Sequence, residues 1–274
     1  MSSATSKATA HGDGAPPARR VPPAPSLGAS IAVHARLQVL RLRRSAKLKL
    51  AVGATLPMVA AVALSANLGD DAVGALRGGY KFALFLLLGY LLPFLFASGA
   101  ISEEVESRTF TYLASRPASR LGMVVGKWLT ATLFSAALLG GAAVLMHISS
   151  LATSPTVFVD ELGLLGRTLG AVLLLSAGYS ALTMCFGALV PPAAGIVGGL
   201  YLAIFEFIMG EMGPGYLPLL TMHHHALLLS GTDSGLEPVV ELPIAFALMA
   251  GFTLVWLALT AVAVVPREFR EGSG

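Results

Sequence analysis

The sequence predicts an all-α polytopic membrane protein, and three observations carry that prediction. Six apolar stretches are each long enough to cross a bilayer, 55% of the residues are hydrophobic against 12% charged, and Lys and Arg are spread very unevenly along the chain. Average soluble domains carry about a quarter charged residues. With a mean hydropathy of +0.76, these 274 residues cannot cover themselves with a water-compatible surface, so the bilayer is the expected solvent.

Residues 1–26 are rich in Ala, Pro and Ser and close on APPARRVPPAP, a composition with too little apolar area to offset chain entropy, so a disordered tail is expected. Residues 27–49 then show a helical period. Leu27, Ile31, Ala35, Val39, Leu42 and Ala46 recur at three- and four-residue steps, while Arg36, Arg43 and Lys47 share the opposite face, which Leu37 and Leu40 interrupt. A basic amphipathic helix lying in the membrane interface is expected, with its cations near lipid head groups.

Covering ~30 Å of hydrocarbon takes about 20 apolar residues. Six stretches qualify: Leu50–Leu68, Phe82–Ile101, Val124–Met146, Leu169–Val190, Ala193–Met209 and Leu242–Val265. Together they define a transmembrane domain over residues 50–265, followed by a short tail at 266–274. Pro191 and Pro192 separate the fourth and fifth stretches and force a tight reversal. Pro57 and Pro93 lie inside spans and predict kinks, since neighbouring helices can satisfy the freed carbonyls. The loop Gly210–Glu241 contains GYLPLLTMHHHALLLSG; its apolar pieces are too brief to span and are expected to dip into the outer leaflet or fold onto the spans.

Fifteen of the eighteen Lys and Arg fall on one side of this topology, leaving Arg77, Lys81 and Arg167 on the other. The positive-inside rule then places both termini in the cytoplasm of a multi-pass protein of the cytoplasmic (inner) membrane. The first span follows a long basic segment with no small-residue cleavage site, and reads as an anchor. A single cysteine, Cys185, excludes an internal disulfide framework and any paired-cysteine metal or redox site. A net charge of +3 is too small to suggest a nucleic-acid partner.

The most informative loop is ISEEVESRTFTYLASRPASRLGMVVGKWL, residues 101–129. Glu103, Glu104 and Glu106 stand where the second span leaves the membrane, and Glu104 precedes Arg108 by one helical turn, which favours a short helix. Phe110 and Leu113 put apolar groups on one side of it, before Arg116-Pro117 disfavours its continuation. A mixed-charge helix with an apolar ridge on a rigid stem suits docking to a cytoplasmic protein; the alternative is solvated charge that only sets topology.

The run EEVESRTFTYLASRPASR, followed by Gly126-Lys127, resembles the signature of the type-2 ABC transporter permeases, the membrane subunits of ATP-driven exporters. The matching positions are the acidic pair Glu103 and Glu104, the step Thr109 and Phe110, the turn formed by Ser115, Pro117 and Ser119-Arg120, and the Gly-Lys that opens the third span. Arg108 stands where many relatives have Gly. The resemblance implies that this segment is a coupling helix seated in a groove of a cytoplasmic ABC ATPase subunit. It also implies that two permeases form a homodimer or heterodimer, and that the loop between spans five and six forms short re-entrant helices.

The chain is expected to have no ATP site of its own, with ATP and magnesium on the partner subunit. Leu121 occupies the first-glycine position of a phosphate loop ending at Gly126-Lys127, and Trp128 the Ser/Thr position, so neither the cradle nor a magnesium ligand is present. No convergent nucleophile and base suggest an intramembrane enzyme. A non-transporting membrane anchor that recruits a cytoplasmic complex through the same loop is the alternative function.

Other ionisable residues stand out because they are costly in a membrane. Glu206, inside the fifth span, is a candidate for the substrate pathway, or else a group hydrogen-bonded between helices; Glu211 is expected at the interface. His223, His224 and His225 invite a metal reading, but adjacent helical positions point about 100° apart, so the triplet is expected at the loop surface and not closing a metal site. Gly166 with Gly170 and Gly195 with Gly199 permit close helix contact, while Tyr179 and Cys185 read as packing residues. The apolar outer loop points toward lipid or a hydrophobic drug as substrate and the histidines toward metal handling; the sequence does not choose between them.

Overall fold

The computed structural model describes residues 26–106, 119–233, 235–237 and 239–264, with backbone alone at 104–106. Every regular element among the described residues is helical. An amino-terminal helix, Leu27–Arg44, precedes six helices long and apolar enough to cross a membrane. Span one is Ala46–Leu68, span two Ala72–Glu103, span three Arg120–Leu151, span four Leu162–Leu189, span five Pro191–Met212 and span six Leu242–Val264. A shorter helix, Met222–Ser230, lies between spans five and six and carries the three histidines; it is called the histidine helix below.

The amino-terminal helix begins where the periodicity placed it, with Ser26 Oγ accepting the Ala29 N–H at 3.3 Å as an N-cap. It stops five residues before the expected Lys49. Ser45 adopts an extended conformation and its Oγ donates to the Leu42 carbonyl at 3.0 Å, so the hydroxyl competes for a backbone acceptor and the chain turns. Lys47 and Lys49 consequently start span one. The helix also presents a different face than expected: Ser30, His34, Gln38 and Leu42 are buried, while Val33, Leu37 and Leu40 are exposed. Its small polar stripe packs on span three, and the two leucines that spoiled the polar face lie on the free side.

Spans two and three each run 32 residues, longer than predicted by their central hydropathy. At 1.5 Å per residue each reaches about 48 Å, well beyond ~30 Å of hydrocarbon. Helix continues through Pro57 and Pro93. Wide π-helical turns occupy Gly79–Leu88 of span two and Tyr201–Ile208 of span five. Pro191–Ala193 forms the expected tight reversal between spans four and five.

Spans two, three and four build the core, in which Leu84, Leu88, Leu92 and Phe96 meet Leu139, Met146, Leu175 and Leu182. Within the most apolar 18 residues of each helix, only 22% of span one and 17% of span six are buried, against 61% and 67% for spans two and four, so the first pair belongs to the apolar periphery. Leu56, Leu64, Leu254 and Val262 are exposed there, on surface that only hydrocarbon solvates well.

Candidate functional site

Polar side chains collect at the two ends of this bundle. At the end bearing the amino-terminal helix, the carboxylate of Glu103 takes an ion pair from Arg41 and a second from Lys47 at 2.5 Å. Lys127, buried in span three, donates from Nζ to the Ala100 carbonyl of span two at 2.6 Å. Ser119 caps span three by accepting the Gly122 N–H at 3.2 Å, and its own N–H donates to Ser30 Oγ of the amino-terminal helix at 3.3 Å.

Gly122 and Gly126 complete the contact. A Cβ on Gly122 would lie 2.6 Å from Ser30 Cβ, and one on Gly126 would lie 2.7 Å from the Ile31 carbonyl oxygen. The Gly-Lys pair thus has a physical reason: the glycine lets the amino-terminal helix approach, and the lysine ties off a carbonyl of span two. Glu104 has no described side chain, and Arg108, Thr109, Phe110, Leu113, Arg116 and Pro117 lie outside the described residues, as do Glu106's side chain and Ser115. Glu103 and Arg120 are described, at the ends of spans two and three that flank the loop between them.

At the opposite end the histidine helix is not at the loop surface, as the sequence suggested. His223, His224 and His225 are all fully buried, because the helix folds back onto spans four and six. Gly178 leaves room in span four for Met222. His223 Nε2 donates to Glu211 at 2.7 Å; Glu211 lies 3.4 Å from Lys81, which also pairs with Asp233 at 2.6 Å. Glu211 is therefore half-enclosed in a polar chain linking spans two and five to the loop. His225 Nε2 donates to the Leu219 carbonyl at 2.9 Å. Among the described residues no three His, Cys, Asp or Glu side chains converge as metal ligands would.

Asp233 lies outside the spans. Burial pushes its carboxyl up, but the hydrogen bond from Lys81 and the Gly235 N–H outweigh it and hold the group below its ordinary value. His225 is also held below a free imidazole, here by burial, which lowers it against the opposing pull of the Leu219 carbonyl, with His224 adding a lesser push downward.

Both ends of the histidine helix are capped by charged side chains from different spans. Glu206 of span five is buried, and its Oε2 accepts the Tyr179 hydroxyl at 3.0 Å and the His223 N–H at 3.2 Å. At the other terminus Gly231 takes a left-handed conformation with φ of 69°, and Arg167 of span four donates to the Leu229 carbonyl at 3.2 Å. An acid at the N-terminus and a cation at the C-terminus both complement the helix dipole. Sequence reading missed Tyr179, Lys81 and Arg167 as partners. The available signal was chemical: a Tyr hydroxyl inside a span, or a Lys or Arg at its edge, must find a polar partner next to hydrocarbon.

Two cavities open beside this network. One, of about 330 Å³, lies between spans two and five among Leu87, Tyr90, Phe94, Leu202 and Phe207. The other, of about 300 Å³, lies between spans five and six beneath the loop, and Glu206 lines it. Gly166, Gly170 and Gly195 have no heavy atom close to where a Cβ would stand, so these glycines serve no close contact within the chain.

A search of the curated proteins finds no match. The family model described as ABC-2 family transporter protein matches residues 27–242, a stretch that takes in the amino-terminal helix, the first five spans, the polar contacts of Glu103 and Lys127, and the histidine helix. The chain belongs to the ABC-2 family of transporter proteins, as a membrane-spanning permease component of an ABC transporter.

Proposed function

We propose that the chain is the permease subunit of an ATP-driven exporter, working as a homodimer or heterodimer with two cytoplasmic ABC ATPase subunits that hold ATP and magnesium. The brace at the amino-terminal end carries this reading. Glu103 with Arg41 and Lys47, Lys127 with Ala100, and Gly126 against Ile31 join the amino-terminal helix to the stems of spans two and three. A docking segment borne on such stems passes a displacement to the bundle instead of absorbing it.

In this mechanism, closure of the two ATPase subunits moves residues 104–115 as a lever and biases the spans between two packings. Taking such an equilibrium from about 1:99 to 99:1 needs roughly 5.5 kcal/mol of differential binding, within reach of two nucleotide-driven interfaces. The cations at the amino-terminal end face the cytoplasm, the amino-terminal helix rests in the interface with Val33, Leu37 and Leu40 toward acyl chains, and substrate passes to the side of the histidine helix, with Glu206 bordering the path.

Replacing Arg116 and Arg120 by Glu in the reconstituted complex tests the docking assignment. The ATPase subunit is expected to dissociate on purification and ATP-driven export to fall by more than about tenfold, since reversing two interface charges costs several kcal/mol. Co-purification with undiminished export overturns it.

A further inference from the structure

The cavity between spans five and six points to a site for a lipophilic cation. Its walls are aromatic: Tyr201, Phe205, Phe252 and Trp256 surround it, and Glu206 supplies its one acidic group. The aromatic rings are fixed against one another. Tyr201 stacks on Phe205 with centroids 5.0 Å apart and meets the edge of Trp256 at 6.0 Å. Rings held this way offer their electron-rich faces to a cation, and do so best where water is excluded.

Glu206 is the group that can supply a counter-charge to a bound cation. Its hydrogen-bond partners, the Tyr179 hydroxyl and the His223 backbone N–H, are both donors that favour a carboxylate, and neither carries a positive charge. Among the described residues no Lys or Arg is paired with it, while Lys81 is already shared between Glu211 and Asp233. A buried carboxyl group without a resident cation, set beside four aromatic rings, suits a positive ligand with an apolar body, whose charge holds the group ionised once bound. Val255 and Leu220 at the mouth are exposed, so the ligand enters laterally from the hydrocarbon side. A volume of about 300 Å³ suits a quaternary ammonium bearing one aromatic ring or a short alkyl chain. The ammonium sits against Glu206 and Trp256 and the apolar body lies between Phe205 and Val255. This site does not depend on the docking of an ATPase, and its failure would leave the permease reading intact.

Equilibrium binding of tritiated benzyltrimethylammonium to the full chain in nanodiscs tests the proposal, with empty nanodiscs subtracted and no nucleotide present. Saturable binding is expected, weakened at least about tenfold by Glu206→Gln and several-fold by Trp256→Leu, which leaves the carboxylate and its helix cap in place. Hydrogen exchange over residues 222–231 confirms that each variant keeps the histidine helix. Neopentylbenzene, the uncharged isostere, is expected not to compete. Absence of a saturable component, equal affinity in Glu206→Gln, or equal competition by neopentylbenzene overturns the proposal. Adding phosphatidylethanolamine to phosphatidylglycerol nanodiscs identifies the source of the cation. A loss of probe affinity assigns the site to a lipid headgroup amine, and no change assigns it to a free amphiphilic cation.

Discussion

Lys47 Nζ lies 2.5 Å from Glu103 Oε1, tying the first turn of span one to the end of span two. Both side chains remain more than a third exposed, so the pair adds little to stability. A double-mutant cycle with Lys47→Met and Glu103→Gln is expected to give a coupling energy below about 1 kcal/mol in thermal unfolding. The same variants are expected to lower transport per ATP hydrolysed, because in the proposed mechanism the brace fixes the stem that carries the docking segment. Transport per ATP at the native level would leave the pair as a surface contact only.

Gly126 and Gly141 are both helical glycines of span three, with opposite surroundings. A Cβ at Gly126 meets backbone, the Ile31 oxygen at 2.7 Å, whereas Gly141 has nothing within 4 Å. Gly126→Ala is therefore expected to destabilise by about 1–3 kcal/mol through overpacking. Gly141→Ala is expected to be neutral or to stabilise by up to about 1 kcal/mol through helix propensity. Thermal unfolding in nanodiscs reads the sign directly, and equal effects at the two positions would remove the close approach of the amino-terminal helix as their cause.

His225 gives the histidine helix a pH dependence of known sign. Burial lowers its folded-state value below that of a free imidazole, so the unfolded chain takes up the proton first as pH drops. The contribution is complete above the unfolded value of about 6.5 and is lost as pH falls from there through the folded value. The slope for one proton is at most about 1.4 kcal/mol per pH unit. Unfolding temperatures measured from about pH 7.5 to 5.5 should decline more steeply for the native chain than for His225→Gln; parallel curves would show that another group sets the slope.

Span count and the proline reversal were legible in sequence because hydrocarbon thickness and backbone chemistry leave few alternatives. Boundaries were less legible. Span two begins at Ala72, ten residues before the predicted Phe82, because Arg77 finds Glu161 and Lys81 finds Asp233 across the fold, and no local window contains those partners. Ser45 ended the amino-terminal helix for a local reason that periodicity outweighed. The histidines were misplaced because their burial depends on Gly178 and on the two charged caps, all distant in sequence. Glu206 stood out from sequence as an expensive residue, yet its bond to the His223 N–H could be found only from the fold.

The histidine helix is held by Glu206 of span five, Arg167 of span four and, through Glu211, Lys81 of span two. Three posts from different spans thus share one crossbar. Should any of them tilt or slide against the others, at least one tether must stretch or let go. The far rim consequently registers rearrangement of the bundle without itself being pushed, and its hydrogen-exchange rate offers a gauge of which packing the spans have adopted.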